Sequence, residues 1–142
     1  MPEPSPIHAT TVAIDGKGVL IRGPSGSGKT ALAIELISLG AKLVADDRTI
    51  VVREGERIVA RCPDTLRGLI EARHIGILNA PFEEECTITL VVDLSKAEQE
   101  RLPPLRTTEL AGQKVTLLYK GAGSAFAASI RHYILYGRNL GV

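Results

Sequence analysis

Residues 18–36 read GVLIRGPSGSGKTALAIEL. An apolar run meets a glycine loop and then a helical pattern. Gly23-Pro24-Ser25-Gly26-Ser27-Gly28-Lys29-Thr30 satisfies every fixed position of G-x-x-x-x-G-K-[ST]. The chemistry of that spacing is specific. The glycines let the backbone curl so that its N–H groups point inward at phosphate oxygens. The helix that follows adds its positive end. Lys29 can reach the β- and γ-phosphates, and the Thr30 hydroxyl can ligate Mg²⁺. A strand must enter the loop and a helix must leave it, so the chain is committed to an α/β core.

The flanking segments supply that context. Residues 1–7 carry three prolines and read as a loose arm. Thr10–Ile14 is β-branched and ends at Asp15-Gly16, a hairpin turn signal, so Val19–Arg22 returns as a strand into the loop. The helix over residues 31–39 has apolar positions widely spread, which predicts burial on most sides, and Gly40 is its stop. Lys42–Asp47 is the next strand. Thr49–Arg53 and Arg57–Arg61 flank a turn at Glu54-Gly55-Glu56. Pro63-Asp64 can cap a short helix over Thr65–Ile70, and Ile75–Leu78 is a short apolar run. Cys86–Leu94 is the most strand-like segment. Residues 95–113 are polar and proline-interrupted and read as a mobile loop. Lys114–Tyr119 alternates as a strand, and Ser124–Tyr136 reads as a helix capped by Ser124 and stopped by Gly137. Strand–loop–helix–strand implies parallel strands in one sheet, and the hairpins add an antiparallel portion.

Composition narrows the partners. At 142 residues the chain is of single-domain size. A net charge of +1 gives no basic surplus for nucleic acid or a membrane surface. An aromatic content of 4% without Trp argues against a base-stacking platform. MPEPSPIHATT lacks a basic segment followed by an apolar one, and no apolar run is long enough to span a bilayer, so a cytoplasmic location is expected. Cys62 and Cys86 lie in strand-like stretches without a CxxC, as reduced core residues would.

A phosphate loop needs a carboxylate for its metal or for a proton. Asp46-Asp47 closes LVADD directly after the loop helix, and Asp93 closes LVVD. The doublet is the stronger candidate, because at a strand end both side chains can turn toward one site. His8 precedes the first strand. Glu71, Arg73 and His74 stand among apolar residues in IEARHIG. Arg101 and Arg106 lie in the expected loop, where either could close over phosphates.

Taken together, HATTVAIDGKGVLIRGPSGSGKTALAIELISLGAKLVADD, followed by IEARHIGILNA and Glu100-Arg101-Leu102, resembles the catalytic domain of the HPr kinase/phosphorylase family. The resemblance implies a P-loop core with a mixed sheet, of the type shared with PEP carboxykinase. It implies ATP- and Mg²⁺-dependent phosphorylation of a serine of HPr, a phosphocarrier of the bacterial phosphotransferase system, and removal of that phosphate by phosphorolysis. Gly23 to Thr30 would bind nucleotide, Thr30 and Glu71 would serve Mg²⁺, and Asp46 would be the general base. Asp47 would assist, His8 would sit near the transferred phosphate, Arg73 near the site, and Arg101 in a mobile loop that stabilises phosphate. It also implies a homo-oligomer, a hexamer in the family. Departures are Thr30 and Ala31 in place of the usual Ser-Glu, and His74 where glycine is usual. The chain reads as a shortened, catalytic-core form. Two other functions share the core: a kinase for a small-molecule hydroxyl, and an ATP-sensing regulator without catalysis.

Overall fold

The computed structural model describes residues 4–63 and 66–141. A hairpin of β1 (Ala9–Ile14) and β2 (Lys17–Arg22) opens the fold, turning through Asp15 and Gly16. Both turn residues have positive φ, 50° and 77°, the geometry that matches strand twist. β2 feeds the phosphate loop and helix α1 (Lys29–Ser38). α1 ends in a left-handed Gly40, φ 105°. The Ala41 and Gly40 N–H groups donate to the carbonyls of Leu36 and Ile37, which satisfies the last turn. β3 (Lys42–Ala45) then runs antiparallel to β1 and therefore parallel to β2.

The remaining strands are β4 (Ile50–Glu54), β5 (Arg57–Arg61), β6 (Leu69–Ala72), β7 (Gly76–Asn79), β8 (Glu85–Ala97), β9 (Arg106–Leu110) and β10 (Gln113–Lys120). The main sheet has the order β3-β1-β2-β8-β10-β9. β2, β8 and β10 run parallel, so their C-terminal ends emerge together. The β4–β5 hairpin joins the sheet through the start of β8. β6 and β7 form a separate two-stranded hairpin.

Alternation, shifted by one residue at an irregularity in β8 between Ile88 and Leu90, divides the core. Val12, Ile14, Val19, Ile21, Leu90 and Val92 face α1 and α2 (Phe126–Tyr136). Ala13, Leu20, Val91, Ile88 and Leu117 face the β4–β5 side, with Ile58 and Ala60. A one-residue slip of any central strand would exchange these sets.

Several expectations change. The arm is tied down at its end: Ile7 and Thr49 exchange both backbone hydrogen bonds, at 2.8 and 3.0 Å. α1 buries Leu32, Ala33 and Leu36 but exposes Ala31, Glu35 and Ser38, so it lies on the sheet rather than inside a core. β3 stops at Ala45, ahead of the aspartate doublet. Of the helix expected over Thr65–Ile70, Asp64 and Thr65 lie outside the described residues, and Leu69–Ala72 is strand β6. The expected loop at 95–113 contains the end of β8 and all of β9, leaving residues 98–105 as the connection. Ala125, not Ser124, is the N-cap of α2, with no side-chain cap bond, while Gly137 ends it as expected, φ 80°.

Candidate active site

The phosphate loop sits at the shared C-terminal end of the parallel strands, where open α/β sheets bind ligands. Gly23, at φ 150°, admits no side chain: a Cβ there would lie 2.6 Å from Ser27 Oγ. Gly26 and Gly28 have φ 83° and 103°, and Lys29 begins α1. Lys29 is 6% exposed, and its ammonium donates to the Gly23 and Pro24 carbonyls at 2.9 and 3.2 Å. Two neutral carbonyls, and no carboxylate among the described residues, hold this buried cation in place, so its charge is available to an anion in the loop.

The doublet is split by a tight turn. Asp47 adopts φ 65°, and Arg48 N–H donates to the Asp46 carbonyl at 2.8 Å. Asp46 turns to the loop: Thr30 Oγ1 donates to its Oδ1 at 2.9 Å, Thr10 Oγ1 to the same oxygen at 3.2 Å, and Glu71 N–H to Oδ2 at 3.1 Å. Asp47 turns to His8, with Nε2 2.5 Å from Oδ1, in a pair that is half exposed. One residue links the two: Thr10, fully buried, also accepts the Asp47 N–H at 3.0 Å. Thr10 reads as an ordinary β-branched core residue in sequence, and nothing in its spacing announces this role. Beneath it, Thr11 and Thr49 share a buried hydrogen bond at 3.0 Å, and Thr49 Oγ1 donates to the Ala9 carbonyl at 2.8 Å.

Other sequence candidates fall into place or away. Glu71 reaches Asp46 through its backbone, with its side chain exposed. Arg73 and Arg101 are exposed and pair with no described residue. His74 adopts φ 72°, so the position where the resemblance led us to expect glycine keeps a left-handed backbone. Arg106 is spent on Glu98, at 3.0 and 3.2 Å, and that hydrogen bonding holds the Glu98 carboxyl below its usual range. Asp93 serves β2 rather than the loop. Burial pushes its carboxyl up, but hydrogen bonds from Ser95 and from Arg22 (Nε 3.1 Å away) outweigh that and hold it below the usual range. Lys120, absent from any motif, places Nζ 3.3 Å from the Ser27 carbonyl of the loop.

The oxygen donors suit Mg²⁺. Thr30 Oγ1 is a hard donor, with the Asp46 carboxylate in contact and the Glu71 residue beside them. Among the described residues no group of three His, Cys, Asp or Glu could cage an ion alone. Mg²⁺ beside nucleotides takes one or two protein oxygens and completes its shell with phosphates and water, so this sparse set fits.

No helix among the described residues is long and apolar enough to cross a membrane. Residues 1–117 match the family model described as HPr Serine kinase C-terminal domain. The HPr kinase/phosphorylase of Lactobacillus delbrueckii subsp. bulgaricus is 38% identical over 112 residues, covering 70% of this chain and 35% of the relative. That of Nitrosomonas europaea is 34% identical over 154 residues, covering 94% and 48%. The chain thus spans a third to a half of the length of these curated relatives. The solved Hpr(Ser) kinase/phosphatase from Coxiella burnetii superposes with a TM-score of 0.77 at 24% identity, over 93% of this chain and 89% of that one, a likeness of fold.

Proposed function

Because this chain belongs to the HPr serine kinase C-terminal domain family, we propose that it is the catalytic core of an ATP- and Mg²⁺-dependent kinase acting on a serine of an HPr-like phosphocarrier protein. The observation that carries the reading is the 2.9 Å contact between Thr30 of the phosphate loop and Asp46. It sets a carboxylate from the turn after β3 against the place where the loop would hold a phosphate and its metal.

The loop amides and Lys29 hold the triphosphate. Thr30, with Glu71, would hold Mg²⁺, which would supply charge neutralisation on the phosphates. Asp46 accepts the proton of the attacking serine hydroxyl, and in phosphorolysis it returns that proton. General-base assistance of this kind contributes roughly 10²–10⁴-fold. Asp47 and His8 flank the transferred phosphoryl group. Arg73 and Arg101, uncommitted to any described carboxylate, are free to meet phosphate or partner. The enzyme works in the cytoplasm as a homo-oligomer, a hexamer on the family pattern. Exposed Ile75, Ile77 and Leu78 on the β6–β7 hairpin support assembly.

The test is mass spectrometry of an HPr-like protein incubated with this protein and Mg-ATP, alongside Lys29→Ala. Phosphoserine that is absent with the variant is expected. ATP binding without transfer to any HPr-like protein would move the function to a small-molecule acceptor or to nucleotide sensing.

A further inference from the structure

Lys120 ends β10, two strands away from the phosphate loop in the sheet and far from it in sequence. Its position is built rather than incidental. β10 pairs in regular parallel register with β8 as far as Tyr119 opposite Asp93, and then the register jumps so that Lys120 stands opposite Ala97. Irregularities of this kind re-aim the side chain that follows. The Lys120 carbonyl is fixed by the Glu98 N–H at 2.9 Å. Its exposed ammonium meets no described carboxylate. It donates instead to a main-chain oxygen of the loop, Ser27 O, at 3.3 Å.

That oxygen is informative. The peptide unit is planar and trans, so the Ser27 carbonyl and the Gly28 N–H point in opposite directions. A cation that fixes the Ser27 carbonyl therefore also fixes the Gly28 N–H, on the opposite side of the peptide. Nothing else secures this peptide from the side chain of Ser27. The Ser27 hydroxyl is buried without a hydrogen-bond partner among the described residues, and it fills the space that a Cβ on Gly23 would need. Gly28 itself, at φ 103°, resists no rotation by having a side chain.

We propose that Lys120 is a positioning residue that braces the phosphate loop from outside, keeping the Ser27–Gly28 peptide turned so that its N–H faces the nucleotide. The proposal rests on the nucleotide-binding reading of the loop. Lys120 acts on phosphate through the loop and does not touch it.

Amide hydrogen exchange of the nucleotide-free protein and ATP titration separate the possibilities, using Lys120→Met and Lys120→Arg. Lys120→Met is expected to speed exchange in residues 23–30 and not in the β6–β7 hairpin, and to weaken ATP binding roughly three- to tenfold, the scale of one ordinary solvent-exposed hydrogen bond. Lys120→Arg, which keeps a donor, is expected to restore both. Weaker ATP binding with unchanged loop exchange would mean direct contact with phosphate and overturn the brace. Faster exchange with unchanged affinity, or no change in either, overturns it too. A wild-type protein that binds no ATP refutes the kinase reading and this proposal together, whereas ATP binding without HPr phosphorylation refutes only the choice of acceptor.

Discussion

Thr10→Val is the sharpest test of how the aspartate doublet is held. Valine has the shape of threonine, and the side chain is fully buried, so packing is preserved while the hydroxyl is lost. Two hydrogen bonds go with it: the one donated to Asp46 Oδ1 at 3.2 Å and the one accepted from Asp47 N–H at 3.0 Å. A bond to a charged group is worth about 1.5–3 kcal/mol and an orphaned amide costs about 1–3 kcal/mol. Asp46 keeps Thr30 and the Glu71 amide, and Asp47 is 59% exposed, so water can reach this turn. Both contributions therefore sit at the low end, giving about 2–3 kcal/mol. For a chain of this length that lowers Tm by about 6–12 °C. Thr10→Ser keeps both bonds and loses one methyl, about 1 kcal/mol. Differential scanning calorimetry of the three proteins, with phosphoryl transfer measured below the melting range, decides it. Valine should be clearly less stable than serine and transfer phosphate about tenfold or more slowly, with ATP affinity little changed. Equal melting temperatures and equal turnover for the two variants would refute the role given to the hydroxyl.

Asp46→Asn should retain ATP and lose transfer by roughly 10²-fold or more; near-normal transfer to the acceptor serine would remove Asp46 as the base. Gly18→Ala should destabilise by about 2–3 kcal/mol or more in denaturant titration, since a Cβ would lie 2.6 Å from Cys86 Sγ and 2.8 Å from the Thr87 carbonyl. Adding Cys86→Ala should recover only part of that loss, because the carbonyl cannot move aside. Asp93 has a lowered folded pKa, so its contribution is complete above the unfolded value and is lost as pH falls through the folded one. The acid limb of a stability–pH curve should shrink in Asp93→Asn. Burial, with the Glu83 and Glu85 carboxylates adding, pushes the Cys86 thiol up to about 12, so it should resist disulfide reagents at pH 8 until the protein unfolds.

The phosphate loop, the hairpin before it and the helix after it were legible because their residue types are dictated locally. Glycine, lysine and a hydroxyl at set spacing have few other uses, and Asp15-Gly16 encodes its own turn. β9 was hidden for the converse reason. Its hairpin turns through Ala111 and Gly112 at φ 50° and 81°, and alanine gives no sign that it will adopt a left-handed backbone. RTTEL is polar up to its last residue, Leu110, since the strand lies at the sheet edge. Within the site, the doublet was visible but its division was not, because the turn at Asp47 is imposed by Thr10 across β1 and β3. Lys120 was invisible for a related reason: its contact depends on a register jump between β10 and β8, which no single segment records.

The placement of β8 also sets an order of events during folding. This strand pairs with β2, β5 and β10, whose residues come from both ends of the chain, so Lys17 waits for Thr87 and Leu90 for Thr116. Pairings so distant close slowly, because the intervening chain must lose its freedom before any contact repays it. α1 and the β1–β2 hairpin can fluctuate into shape early, yet the loop between them meets Lys120 only after β10 has docked on β8. During synthesis, ribosome-bound chains that stop short of β10 would present the glycine loop without its outer support, and tight nucleotide capture would mark completion of the sheet.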